Sequence, residues 1–135
     1  MFLIETPSPF YEFNGKTYQC PIELSIALFA GRWKPTIIYK LLDGKKRYGE
    51  LKKLIEGINH KVLAEQLRDL EASGIIARHV FPTNPPKVEY ELTPLGEGLR
   101  PAIDHLQQWG LQFQAEHSKT KPVANHCPEL AQEQK

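Results

Sequence analysis

The sequence predicts a mainly α-helical domain with one small β-hairpin and extra helices at both ends. Three observations predict it. Leu63, Leu67 and Leu70 recur at intervals of four and three, the spacing of one helix face, just after a turn through Gly57. Val88, Tyr90 and Leu92 alternate with Glu89 and Glu91, the two-residue period of a half-buried strand. Leu95, Leu99, Ile103, Leu106, Trp109 and Phe113 then carry a helical stripe further than one small domain needs to cover itself. With 135 residues, 41% hydrophobic and 24% charged, the chain is one domain's worth and neither a disordered tail nor a fibre.

The elements follow in order. Residues 1–19 read as an arm. Phe10 to Phe13 and Lys16 to Gln19 flank Asn14-Gly15, a pair suited to the type I′ turn, in which both central residues take positive φ. Such a hairpin is marginal alone and must pack on something. Pro21 suits the first position of a helix, which makes Cys20 its N-cap, with Glu23 in the first turn where the dipole favours an anion. Ile22, Ile26 and Phe29 stripe this helix until Gly31 breaks it. Trp33 opens a second helix with Ile37, Ile38, Leu41 and Leu42 as its apolar face, Pro35 in its first turn and Asp43-Gly44 as its stop. Lys45, Lys46, Arg47 and Tyr48 form a short extended link.

Leu51, Leu54 and Ile55 mark a third helix of about nine residues, Gly57-Ile58-Asn59 a turn, and Asn59 the N-cap of a fourth helix that ends at Gly74. Two short helices joined by a tight turn are a helix-turn-helix candidate. A hairpin follows, with Ile76, Val80 and Phe81 in one strand and Val88 to Leu92 in the other, around the stiff tip Pro82-Thr83-Asn84-Pro85-Pro86-Lys87. Thr93-Pro94 caps a single long helix that Pro101 is expected to kink. Residues 118–135 are polar and read as a disordered tail, which leaves 20–117 as the domain. That order of elements is a winged helix-turn-helix with extra terminal helices.

Several motifs resemble the HxlR-type (DUF24) transcriptional regulators. They are Cys20-Pro21-Ile22-Glu23, Gly31-Arg32-Trp33 and Leu42-Asp43-Gly44; then Leu63, Leu67, Arg68, Leu70, Glu71 and Gly74; then the run from Pro85-Pro86-Lys87 through Val88-Glu89-Tyr90-Glu91-Leu92 to Thr93-Pro94-Leu95-Gly96. The resemblance spans residues 20–113. It implies a MarR-like winged-helix homodimer acting on pseudo-palindromic promoter DNA. The chain departs from the family's common pattern in its long N-terminal arm and at Asn59-His60, where relatives often carry Ser-Pro or Ser-Gln. That departure bears on the operator and not on the fold.

The charge distribution fits either a phosphate-facing patch or an ordinary solvated face. Residues 31–90 hold twelve Lys and Arg against seven Asp and Glu, while the net charge of the whole chain is only +1. On a helical wheel with Leu63 at 0°, Lys61, Arg68 and Glu65 fall at about 160°, 140° and −160°, away from the leucines. The N-terminal part of such a helix reads base edges, so Asn59, His60, Lys61, Ala64, Glu65 and Arg68 are the expected reading residues. The bland alternative is a Lys61–Glu65 surface pair. Asn84 and Lys87 of the wing, and Lys45, Lys46, Arg47 and Tyr48 of the link, are expected on the DNA backbone. The stripe Leu95, Leu99, Ile103, Leu106, Trp109 and Phe113 is expected to meet itself in a two-fold dimer together with the helix at 21–30.

Cys20 invites a redox reading. A helix N-terminus stabilises a thiolate, and the resemblance implies relatives that sense oxidants or quinones through a cysteine at this motif. A bridge across the dimer or to Cys127 is one form this could take; a cysteine that only packs is the other reading. Enzymatic readings are poor, since G-x-S-x-G, H-E-x-x-H and a glycine-rich phosphate loop are all missing. No cofactor is expected. His117, His126 and Cys127 match no common zinc spacing, so no metal is expected either. With no basic n-region, no long apolar run and only two cysteines, the expected location is the cytoplasm, off the membrane. The rival to a DNA-binding regulator is a winged-helix protein-interaction module that binds no DNA.

Overall fold

The computed structural model describes residues 11–118. The chain opens with a hairpin, β1 (Tyr11–Phe13) and β2 (Lys16–Tyr18), paired antiparallel. Asn14 and Gly15 take φ of 54° and 81°, the positive values a type I′ turn requires. The hairpin packs against α1 (Pro21–Phe29). Gly31 then turns the chain into α2 (Lys34–Leu41), whose Ile37, Ile38 and Leu41 are buried.

The two-residue strand β3 (Lys46–Arg47) leads directly into α3 (Tyr48–Leu54), and α4 (His60–Ala72) follows. The wing is β4 (Ile76–Phe81) against β5 (Lys87–Leu92). All three strands form one antiparallel sheet in the order β3-β5-β4. The link at 45–48 is therefore partly a strand. Lys46 lies opposite Tyr90 and Arg47 opposite Glu89.

The core sits between the helices and the inner face of this sheet. Leu63, Leu67 and Leu70 of α4 meet Ile37, Ile38 and Leu41 of α2, Leu51 of α3, and Ile76, Tyr90 and Leu92 of the wing. These side chains are nearly inaccessible to solvent, and fully burying a Leu or Ile side chain is worth about 1.5–3 kcal/mol. Leu54, expected on the apolar face of α3, is 44% exposed instead. Ile55, just past the helix, fills that position in the core.

The long C-terminal helix is two helices. α5 (Pro94–Glu97) is one turn capped by Thr93, whose hydroxyl oxygen accepts from Gly96 N–H at 3.1 Å. α6 (Arg100–His117) starts afresh after Gly98 and Leu99. Two causes combine. Pro101, in the first turn of α6, has no N–H to give Glu97, and its ring would strike that carbonyl in a continuous helix. Gly96 also lies so close to the strand entrance that a Cβ built there would run into the Ile75 carbonyl oxygen. Arg100 fastens the break: its Nη2 donates to Leu42 C=O at 2.8 Å, past the end of α2, and to Glu97 Oε1 at 2.9 Å.

Candidate nucleic-acid interface

Asn59 starts the reading helix as expected. Its Oδ1 accepts from Val62 N–H at 2.8 Å, satisfying one of the unpaired donors of the first turn. The cap occupies that oxygen, so its side-chain amide N–H groups are what Asn59 can offer elsewhere. Leu63, Leu67 and Leu70 anchor the other side of α4, and Lys34 of α2 reaches Asp69 at 3.4 Å to hold its second half.

With the leucines buried, Lys61, Glu65 and Arg68 are exposed together, and Ala64 is half-buried beside them. None of the three charged side chains forms an ion pair with another described residue. The Lys61–Glu65 pair, the bland reading of this edge, is therefore not made. Two cations and one carboxylate stand outward with their hydrogen-bonding capacity unspent.

His60, the first residue of α4, is exposed but held. Its imidazole stacks on the Tyr48 ring with centroids 5.8 Å apart and planes 11° apart. The Tyr48 hydroxyl lies 3.0 Å from His60 C=O and 3.2 Å from His60 Nδ1. Tyr48 is thus a half-buried structural tie between α3 and α4. Burial, with the Tyr90 phenol nearby, raises its pKa above the ordinary 10.0. Sequence spacing carried no signal of this tie, which joins residues twelve positions apart in different elements.

The link residues divide by strand alternation, which sends neighbours to opposite faces. Lys45 and Arg47 are exposed. Lys46 turns the other way: its ammonium is 2.6 Å from Asp43 Oδ1 and 3.3 Å from Gly44 C=O. The Lys46 ammonium is therefore already paired within the subunit.

At the wing, Asn84 is exposed at the tip. Lys87 is partly engaged, 3.4 Å from Glu89 and 4.9 Å from the Phe81 ring centroid. Beside it His79 Nε2 meets Glu91 Oε2 at 2.6 Å. Arg78 was not singled out from the sequence. It lies opposite Tyr90 in the register, exposed, on the sheet face that also carries Ile76 and Val80. The period-two pattern of β4 groups it with buried Ile76, so the sequence carried no signal of its exposure.

The stripe expected at the dimer contact splits in two. Ile103 is 4% exposed and belongs to the subunit's own core, and Leu99 packs against that core. α6 packs against α2. Leu106, Trp109 and Phe113 are exposed, with the Trp109 and Phe113 rings stacked at 5.4 Å. Leu95, on α5, is also exposed. Ile22 and Ile26 of α1 are exposed too, and Phe29 shares a concavity of about 500 Å³ with Leu106 and Trp109. The unpaired apolar surface thus runs from α1 onto α6.

Cys20 caps α1: its Sγ accepts from Glu23 N–H at 3.4 Å, and the thiol is exposed. Cys127 and His126 lie outside the described residues, as do residues 1–10 of the arm and 119–135 of the tail. Among the described residues no group of three His, Cys, Asp or Glu side chains could hold a metal ion, and no helix is long and apolar enough to cross a membrane.

Known proteins agree with this architecture. A family model described as HxlR-like helix-turn-helix matches residues 28–118. The HTH-type transcriptional regulator YdeP of Bacillus subtilis is 45% identical over 94 residues, covering 70% of this chain and 73% of its own. The solved structure of the redox regulator HypR in its oxidized form superposes with a TM-score of 0.67 at 38% identity, covering 77% of this chain and all of that one. The reduced form of the transcriptional regulator YodB from B. subtilis gives 0.64 at 38% identity, covering 75% of this chain and all of that one.

Proposed function

This chain belongs to the HxlR-like helix-turn-helix family and is a transcriptional regulator of the helix-turn-helix type, and from that premise we propose that it works as a homodimer on a pseudo-palindromic promoter site, with α4 of each copy in a major groove. The observation that carries the reading is the outward edge of Lys61, Glu65 and Arg68, unpaired among the described residues, on a helix whose opposite side is locked by leucines. Arg or Lys can donate to guanine O6 and N7, and Glu can accept from cytosine N4. Asn59 and His60 sit at the end of the helix that leads into the groove, and Ala64 is small enough to meet a thymine methyl. Lys45 and Arg47 flank this helix and Asn84, Lys87 and Arg78 line the wing, where they position the protein on phosphates without reading sequence.

The second copy docks through the surface that joins Ile22 and Ile26 to Leu106, Trp109 and Phe113. Exposed apolar side chains gathered across two helices mark an interaction surface, and a two-fold pairing puts each patch on its own copy. Cys20 makes the regulator responsive to oxidants or electrophiles. Its exposed sulfur is supported by the Glu23 N–H, and HypR is titled a redox regulator. Bridging two Cys20 thiols, or Cys20 with Cys127, releases two protons and passes two electrons to the oxidant.

The test is selection of bound duplexes from a random DNA pool, followed by salt titration of the best sequence. The expected result is an inverted repeat with half-sites about one helical turn apart and an affinity that falls steeply with salt. No enriched sequence and no salt dependence would leave a protein-interaction module in its place.

A further inference from the structure

The contact between Tyr48 and His60 settles a chemical question that the placement of α4 leaves open: what His60 offers a base. The Tyr48 hydroxyl has one proton and two neighbours, His60 C=O at 3.0 Å and His60 Nδ1 at 3.2 Å. The carbonyl can only accept, so it takes the hydroxyl proton. The Nδ1 contact is then attractive only if Nδ1 carries a proton of its own and donates it to the Tyr48 oxygen. The reverse order, with the hydroxyl donating to Nδ1, leaves two oxygens facing each other at 3.0 Å with no proton between them.

A neutral ring with its proton on Nδ1 has a bare lone pair on Nε2. The stack on Tyr48 holds the ring plane, so that lone pair has a fixed direction at the exposed start of α4. The Tyr48 phenol keeps its proton throughout the neutral range, because its pKa lies above the ordinary 10.0.

We infer that His60 is a hydrogen-bond acceptor that selects amino-bearing bases, adenine through N6 or cytosine through N4, and that Tyr48 is the positioning residue that fixes this choice. In the major groove adenine and cytosine present amino donors, whereas guanine and thymine present the carbonyl acceptors O6 and O4. An acceptor at His60 therefore separates the first pair from the second at one position of each half-site. The inference rests on α4 entering the major groove.

Two measurements test it, and they fail independently. Long-range ¹H–¹⁵N NMR of the full-length, DNA-free protein at a pH of about 8, above the ordinary imidazole range, reads the tautomer directly. The His60 ring, identified by its loss in His60→Ala, is expected with its proton on Nδ1, and Tyr48→Phe is expected to move that proton to Nε2. A wild-type ring protonated on Nε2 overturns the inference whatever the DNA does. Selection from a random duplex pool with wild type, His60→Ala and Tyr48→Phe reads the consequence. Wild type is expected to enrich adenine and cytosine over guanine and thymine about fivefold or more in one column of each half-site. His60→Ala flattens that column alone, and Tyr48→Phe relaxes it while leaving the salt dependence unchanged. A wild-type preference that His60→Ala leaves intact overturns the inference but keeps the DNA reading. No enrichment by any of the three proteins overturns the DNA reading, while the NMR result still stands or falls alone.

Discussion

Arg68 and Lys87 show how two cations of equal charge differ in what they can do. Arg68 stands on α4 with no ion-pair partner among the described residues, so its planar fork is available for a bidentate base contact. Arg68→Ala should cost about 1–3 kcal/mol of operator affinity in a gel-shift titration and relax selectivity at the contacted pair. Lys87 is already shared with Glu89 and Phe81. Lys87→Ala should weaken binding to every duplex alike and make the salt dependence shallower by up to one phosphate's worth. Cys20 is separable from its capping role, because serine is a good N-cap. Cys20→Ser should keep the melting temperature within a degree or two and abolish any change in DNA affinity during an oxidant titration; a titration curve matching wild type would remove the thiol from the signal path. Residue chemistry was most legible where it was local. Cys20, Asn59 and Thr93 cap the helices that their sequence neighbours announced, since a cap reaches only two or three residues ahead. The Tyr48–His60 tie and the diversion of Lys46 to Asp43 depend on which way a strand and a helix face in space, and spacing along the chain does not carry that.

At the level of elements, periodicity placed α2, α4 and the wing well, because each buries one face against the same core and repeats its apolar residues at the matching period. The C-terminal stripe misled for the same reason. Leu95, Leu99 and Ile103 keep helical spacing straight across the break at Gly98–Leu99, yet Leu95 is exposed, Leu99 half-buried and Ile103 buried. The break goes with Pro101, and Gly96 beside it packs directly on Ile75 at the entrance of the wing, where a Cβ has no room. Gly96→Ala should therefore destabilise the domain by about 2–3 kcal/mol in a denaturant melt, well beyond the usual gain of alanine over glycine in a helix. β3 reads from the sequence only as an extended link, because two residues are too few to establish a period or a pairing partner.

For the molecule as a whole, the question is what covers α1 and the outer side of α6. Trp109 is 63% exposed and Ile22 70%, so neither contributes much to the stability of a single subunit. Trp109→Glu should leave the far-UV circular dichroism spectrum unchanged, yield monomers in sedimentation velocity and lose tight binding to a two-half-site duplex. A variant that remains dimeric would move the seam away from α6. The sequence located this stripe but could not say that Leu99 and Ile103 turn inward while Leu95 and the later residues stay exposed, since that depends on how α6 packs against the core. Arg100 now takes on a larger meaning. It rivets the root of an 18-residue rod, roughly 27 Å long, to the body that carries α4. A tilt of about ten degrees at that root moves the far end by about 5 Å. In the proposed dimer, joined along those rods, the two α4 helices would behave like the points of a drafting compass, with their gap set at the rivet.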